Sequence, residues 1–125
     1  MVKKDHRSYT CQAIVVSCMD FRLRKHLIDW ASKILTKGGY DRVAVAGGVK
    51  NFGLLVDQVA LSVKLHNVNE AYLINHEDCG AYGEEGTFEK HKEDLLLAKD
   101  ILTQKFPKLK VVPLYLKLNG EFVKV

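Results

Sequence analysis

The chain has 125 residues, of which 47% are hydrophobic and 27% are charged, and its formal net charge at pH 7 is +4. Length and composition predict one globular domain over residues 1–125 and exclude a chain that is disordered throughout. The Lys and Arg residues are scattered, and no aromatic residues alternate with them, so we expect no nucleic-acid partner.

Cysteine usage and apolar segment length bear on the compartment. Three cysteines, an odd number without a dense framework, suit a reducing environment, where thiols serve as metal ligands or catalysts more often than as disulfides. No apolar stretch is long enough for a signal peptide or a membrane span. We therefore expect a cytoplasmic protein without membrane association.

Short apolar runs alternate along the chain with longer segments of helical periodicity, a pattern that predicts an α/β fold. A continuously apolar run such as the first is typical of a parallel strand covered on both faces by helices. We expect three layers, αβα, around four mostly parallel strands in the order 2-1-3-4. In chain order the pattern predicts a strand at 13–16, a helix at 23–35, a buried strand at 43–46, a helix at 54–65, a strand at 71–74, a helix at 84–106, a strand at 110–118 and, after the Asn119-Gly120 turn, an antiparallel edge strand at 121–125.

The predicted helix at 54–65 is apolar almost all round. Such a helix needs cover on two sides, and the sheet supplies only one of them. A second copy of the chain is the simplest source of the other cover. We therefore expect a homodimer or a higher homo-oligomer.

Candidate functional residues follow the carboxyl ends of the first three predicted strands. In an open parallel sheet these ends share one edge, and binding sites form there where the strand order reverses. With the order 2-1-3-4, the first and third strands are neighbours about 5 Å apart. The residues expected at this edge are Cys18, Asp20 and Arg22 after the first strand, Gly47 and Gly48 after the second, and His76 and Cys79 after the third.

Two thiolates and one imidazole are ligands that zinc prefers, so Cys18, His76 and Cys79 predict a zinc site. Three protein ligands leave a fourth position for water, which distinguishes a catalytic from a structural site. Because two thiolates offset the charge of the ion, its water is expected to ionise at a higher pH than in an all-His site. Iron or cobalt fits the same thiolate-rich ligand set.

Asp20 and Arg22 follow Cys18 at intervals of two residues, a spacing that in an extended segment puts all three on one side. Asp20 can bind the metal and close the site. Alternatively it can pair with Arg22, stay ionised and accept a hydrogen bond from the nucleophile. The alternative interpretation, in which the two residues have no functional role, is a salt bridge within the loop.

Three segments resemble those of the β-class carbonic anhydrases: Cys18-Met19-Asp20-Phe21-Arg22, Ala46-Gly47-Gly48 and His76-Glu77-Asp78-Cys79-Gly80. The resemblance covers residues 13–82. The chain lacks most of the N-terminal helical arm with which members of that family embrace a partner subunit. It implies one zinc ion per chain on Cys18, His76 and Cys79, an Asp20–Arg22 dyad that gates the fourth position, and Gly47 and Gly48 next to the substrate. The implied reaction is reversible hydration of carbon dioxide to bicarbonate by zinc-bound hydroxide.

Other functions fit the same residues. A hydrolase of carbonyl sulfide or carbon disulfide would use the same ligands with different pocket walls. A non-catalytic, dimeric zinc-binding module would keep Asp20 on the metal permanently. A redox pair of Cys18 and Cys79 is disfavoured because the two do not form a Cys-x-x-Cys motif.

The remaining cysteine and histidines are not expected to belong to a site. Cys11 is interpreted as a small apolar residue with no partner at a useful spacing. His6, His26, His66 and His91 fall in polar or helical surroundings, and we expect them to face solvent.

Overall fold

The computed structural model describes residues 9–125. Within them, short strands alternate with helices as the sequence predicts. The strands are β1 (Ala13–Ser17), β2 (Tyr40–Ala44), β3 (Glu70–His76), β4 (Lys110–Leu116) and β5 (Phe122–Lys124), and the α-helices are α1 (Arg24–Ile34), α2 (Phe52–His66) and α3 (Phe88–Lys105). No helix within this described range is both long and apolar enough to cross a membrane.

One sheet contains all five strands in the order β2-β1-β3-β4-β5. The first four pair in parallel, and β5 runs antiparallel to β4. Gly120 adopts a φ of +97° in the turn that joins β4 to β5, a conformation that glycine takes at little cost. The predicted fold class, strand order and antiparallel edge strand are confirmed.

Helices cover both faces of the sheet, and β1 shows why its sequence is continuously apolar. Ile14 and Val16 point to one face, where the buried side chains of α2 and α3 pack. Ala13 and Val15 point to the other face, against buried side chains of α1. The three-layer αβα arrangement follows from this alternation of side chains along a strand covered twice.

Strand β2 differs from its prediction in position and in burial. The apolar run at 43–46 predicted a buried strand, whereas β2 spans Tyr40–Ala44 and none of its residues is fully buried. It is the edge strand and pairs only with β1. The predicted order 2-1-3-4 agrees with this edge position, but the prediction of burial was wrong because the apolar run was taken to mean cover on both faces.

Helix α3 begins later than predicted, at Phe88 instead of residue 84. The Thr87 hydroxyl accepts the Lys90 backbone N–H at 3.1 Å, which makes Thr87 the N-cap. The preceding segment forms a separate 3-10 turn at Gly83–Glu85. This turn lies beside the candidate site.

The outer face of α2 carries three exposed leucines: Leu54, Leu61 and Leu65, with exposed fractions of 37%, 46% and 37%. The opposite face buries Leu55 and Val59 against the sheet. One side of the helix is thus covered by the chain itself, as expected. The predicted dimer across the other side stays a prediction.

Candidate metal centre

Two neighbouring strands bring the predicted ligands together. β1 and β3 are adjacent and parallel, with Ser17 opposite Ile74. Cys18 directly follows β1, and His76 is the last residue of β3. With Cys79 from the next turn, these side chains form a buried cluster in which one ligand atom of each lies within 4.8 Å of the others.

The turn after β3 places Cys79 opposite Cys18. Asp78 takes a left-handed conformation with a φ of +57°, and the carbonyl of Cys79 accepts the N–H groups of Tyr82 and Gly83, each at 3.1 Å. The two Sγ atoms are 3.9 Å apart. Two thiolates about 2.3 Å from one tetrahedral zinc ion have nearly this separation.

The imidazole of His76 completes the cluster. Its Nδ1 lies 2.7 Å from the carbonyl oxygen of Glu77, to which only an N–H can donate, so Nε2 carries the free lone pair. Nε2 is buried and has no hydrogen-bond partner among the residues that the structure describes. A buried nitrogen of this kind is costly unless a ligand binds it. Burial also lowers the pKa of His76, which favours the neutral form that binds metals.

The protonation state of the two thiols depends on whether a metal ion is bound between them. Burial raises the pKa of the Cys79 thiol, although the N–H groups of Tyr82 and Ala81 oppose the shift. The Gly47 N–H donates to Cys18 Sγ at 3.3 Å. A bound dication deprotonates coordinating thiols outright. Two thiols and a neutral imidazole with its unpartnered Nε2 therefore fit a zinc ion.

Asp20 and Arg22 form a tight pair beside this cluster. The Asp20 carboxylate accepts the Arg22 backbone N–H at 2.9 Å, both oxygens accept Nε at 3.1 and 3.2 Å, and Oδ2 accepts Nη2 at 2.7 Å. These hydrogen bonds lower the pKa of Asp20 to about 2. Asp20 Oδ2 is 3.9 Å from His76 Nε2.

The backbone at Asp20 corrects one part of the spacing argument. Asp20 caps a 3-10 turn at Phe21–Leu23, so the segment is not extended as that argument assumed. The pair forms because the turn folds Arg22 back onto its own cap. Arg22 also donates to Oδ2 and to the carbonyl oxygen of Asp78, at 3.1 and 3.0 Å, which joins the turns after β1 and β3.

Gly47 and Gly48 pack against the residues next to the cluster. Both have positive φ, +83° and +58°. A Cβ on Gly48 would lie 2.6 Å from Asn75 Oδ1. Asn75 Oδ1 accepts the Val49 backbone N–H at 3.2 Å, so this loop is fastened to β3 beside His76. Contact with a substrate stays a prediction for both glycines.

Replacing Gly48 with Ala is expected to lower the free energy of unfolding by about 2–4 kcal/mol, because the new methyl group meets Asn75 in a left-handed backbone. Urea denaturation measures the change. Gly83→Ala is the matched control, since Gly83 has a φ of +61° but nothing within 4 Å of its Cβ position. Only the conformational cost of about 1–2 kcal/mol is expected there. Equal losses in both variants would contradict the proposed clash.

The sequence argument missed a buried polar network behind the cluster. Since Asn75 Oδ1 accepts an N–H, Nδ2 is the donor, and it donates to Tyr82 Oη at 3.0 Å and to His91 Nδ1 at 2.9 Å. Tyr82 Oη donates to Asp94 Oδ2 at 2.8 Å. The one available signal was the position of Asn75, directly before His76 at a strand end. Nothing local marks the other three residues.

Predictions for the other histidines were wrong where the structure describes them. His91 has an exposed fraction of 0%, and burial lowers its pKa to about 4, so it is neutral. His26 and His66 are half-buried, with Leu118 O at 3.2 Å and Asp41 Oδ2 at 2.7 Å. His6 lies outside the described residues.

Cys11 packs against the core as a small apolar residue, as interpreted from the sequence, but it also has tertiary neighbours that the sequence did not indicate. Its Sγ lies within 4.8 Å of ligand atoms of Asp41 and His66. The three residues are far apart in sequence, so no spacing argument could have joined them.

A cavity of about 460 Å³ opens beside the cluster, between α1 and the edge strand β2. Cys18 and Asp20 line its inner end, and mostly apolar side chains such as Leu27 and Ile28 line the rest. A small molecule can approach Cys18 and Asp20 through it.

The whole described chain resembles proteins of one kind. A family model described as "Putative carbonic anhydrase" matches residues 8–125. An uncharacterized protein of Rickettsia bellii is 29% identical over an alignment 144 positions long, which covers 95% of this chain and 85% of that protein.

Solved structures of carbonic anhydrases share the fold. The carbonic anhydrase from Glaciozyma antarctica has a TM-score of 0.66 at 17% identity, over 97% of this chain and 88% of that one. A β-carbonic anhydrase from Trichomonas vaginalis has a TM-score of 0.61 at 18% identity, over 99% of this chain and 86% of that one. At such identities the likeness concerns the fold.

Proposed function

This chain belongs to the carbonic anhydrase family and has the fold of the β-class enzymes, and we propose that it catalyses the reversible hydration of carbon dioxide to bicarbonate on one zinc ion. The ligands are Cys18, His76 and Cys79. The observation that carries the proposal is the buried, unpartnered Nε2 of His76 beside two thiols 3.9 Å apart. Zinc, when bound there, supplies a nucleophile from water near neutral to alkaline pH and stabilises developing negative charge.

The role of Asp20 is to hold and orient that nucleophile. With its pKa at about 2, Asp20 is ionised throughout the physiological range and can only accept a hydrogen bond. Arg22 engages both carboxylate oxygens of Asp20 beside the cluster, and this competes with binding of Asp20 to the ion. Of the two alternatives for Asp20, the pairing therefore supports the one in which Asp20 stays ionised on Arg22 and does not close the site. A non-catalytic module, in which Asp20 stays on the metal, has no support from this pairing.

Carbon dioxide is small and apolar, and the apolar cavity that reaches Cys18 and Asp20 suits its approach. Gly47 and Gly48 lie in one loop beside the cluster, where Gly48 packs against Asn75. The Gly47 N–H already donates to Cys18 Sγ, which orients this ligand and weakens its donation to the ion. We assign both glycines to the substrate side of the site.

The assembly and the setting complete the proposal. The chain is one domain that works in the cytoplasm as a homodimer or a higher homo-oligomer. Support for assembly comes from the exposed leucines of α2, which form an apolar face that residues 9–125 leave uncovered.

Zinc-loaded protein is expected to accelerate carbon dioxide hydration in a stopped-flow assay, whereas protein stripped of metal by a chelator is expected to lose the rate and recover it with zinc. The assay is run at neutral and at alkaline pH, because two thiolates raise the pH at which the nucleophile forms. Carbonyl sulfide and carbon disulfide are offered in parallel. A metal-dependent rate on these alone would replace the proposed substrate, and no rate on any of the three would overturn the enzymatic proposal.

A further inference from the structure

A second cluster of metal-binding side chains lies at the other end of the sheet, outside the candidate metal centre. It joins Cys11 from the segment before β1, Asp41 of the edge strand β2, and His66, the last residue of α2. One ligand atom of each lies within 4.8 Å of the others. All three residues are half-buried.

Existing contacts hold these side chains near each other. The Cys11 backbone N–H donates to the carbonyl of His66 at 3.1 Å. Asp41 Oδ2 lies 2.7 Å from His66 Nδ1 and accepts the Ser62 hydroxyl at 2.7 Å. The arrangement is therefore preorganised by backbone and side-chain bonds from three separate elements.

We propose that Cys11, Asp41 and His66 form a second metal site, which takes a divalent transition-metal ion such as zinc. A thiolate, an imidazole and a carboxylate are a donor set that zinc accepts in tetrahedral geometry. Binding needs the 2.7 Å contact between His66 Nδ1 and Asp41 Oδ2 to open by roughly 0.5 Å so that both atoms reach one ion, a movement that side-chain rotation supplies. The thiol proton of Cys11 leaves as the ion binds, because the thiolate is the form that binds a metal.

The surroundings supply access and a fourth ligand. A cavity of about 270 Å³ is lined by Asp41, Ser62 and His66, among others. Ions and water can reach the site through it. A water molecule or the Ser62 hydroxyl completes the tetrahedron.

An Asp41–His66 ion pair alone would account for two of the three residues. The pair does not include Cys11, whose thiol is the strongest zinc ligand of the set and whose Sγ also donates to the Ala13 carbonyl oxygen at 3.6 Å. An ion held here would also fasten the chain before β1 to the edge strand and to the end of α2. Its role is thus structural, and it is independent of the proposed catalysis.

Cobalt titration of metal-stripped full-length protein, followed by thiolate-to-cobalt absorption, tests the proposal. Wild type is expected to bind two ions per chain, and Cys11→Ala and His66→Ala one each. His26→Ala is the matched control and is expected to bind two. Carbon dioxide hydration by zinc-loaded Cys11→Ala is expected to stay within about twofold of wild type, because Cys11 is outside the catalytic cluster. Two ions on Cys11→Ala would overturn the second site.

A Cys79→Ser background separates this site from the catalytic one. There a single cobalt ion with thiolate absorption is expected, and adding Cys11→Ala should abolish it. Zinc at a hundred times its Kd should raise the melting temperature of the Cys79→Ser protein by roughly 10 °C and leave the double variant unchanged. No ion on Cys79→Ser protein whose circular dichroism is native would overturn the second site, whatever the hydration assay shows. If the Cys79→Ser protein loses carbon dioxide hydration but retains one ion, the lost activity bears only on the catalytic proposal and the second site is supported.

Discussion

Cys79→Ser protein is expected to lose the catalytic zinc and to hydrate carbon dioxide at least about a thousandfold more slowly than wild type. A serine hydroxyl is a far weaker zinc ligand than a thiolate, and only two ligands of the cluster would remain. The substitution is nearly isosteric, so the turn closed by the Cys79 carbonyl should persist. Metal analysis and stopped-flow hydration measure the two losses.

Cys11→Ser is the matched control for the rate, since it removes a thiol outside the catalytic cluster. It is expected to hydrate carbon dioxide as wild type does. A Cys79→Ser protein that retains both the catalytic zinc and the rate would remove Cys79 from the ligand set. It would also leave the orphaned Nε2 of His76 without an explanation.

Asp20→Asn is expected to lower kcat/KM for carbon dioxide by about a hundredfold while the zinc content stays near that of wild type. The amide keeps the shape of the carboxylate but loses its charge, and with it the strongest contacts to Arg22.

The folded pKa of Asp20, about 2, lies below its ordinary value of 3.8, so the ion pair stabilises the fold above that value. This stabilisation is lost only as the pH falls through about 2. Asp20 therefore contributes no step to the rate between roughly pH 6 and 9.

Asp78→Asn is the matched control for this variant. Asp78 also pairs with Arg22, at 3.1 Å, but its side chain is 75% exposed. We expect its loss to change kcat/KM by no more than about threefold, as an exposed pair contributes little. If Asp20→Asn lost metal as completely as Cys79→Ser, Asp20 would be a ligand and its assigned role would be wrong.

The sequence predicted which side chains the structure brings together where local pattern and sheet topology act together. Cys18 and His76 each stand at the end of an apolar strand, and parallel strands bring their ends to one edge. The relation of β1 to β3 then follows from the strand order. What remained was the side-chain geometry, such as the fold-back of Arg22 onto Asp20 in a 3-10 turn.

Features that depend on long-range packing could not be predicted in this way. His91 lies on a helix whose sequence is largely polar, and its burial is explained by tertiary contacts with Asn75 and with the rings of Tyr82 and Tyr115. Cys11, Asp41 and His66 meet because three elements converge. The incomplete burial of β2 likewise depends on what packs against this strand, and an apolar run does not contain that information.

The lateral borders of the sheet have a consequence for the behaviour of the protein at high concentration. β2 has five residues and carries Asp41 and Arg42, and β5 has three residues and carries Lys124. Short, charged outer strands give an incoming polypeptide few amides to pair with and disfavour its approach. Fibrous self-association along the sheet is thereby discouraged, even though most residues of the interior strands are buried and many are aliphatic.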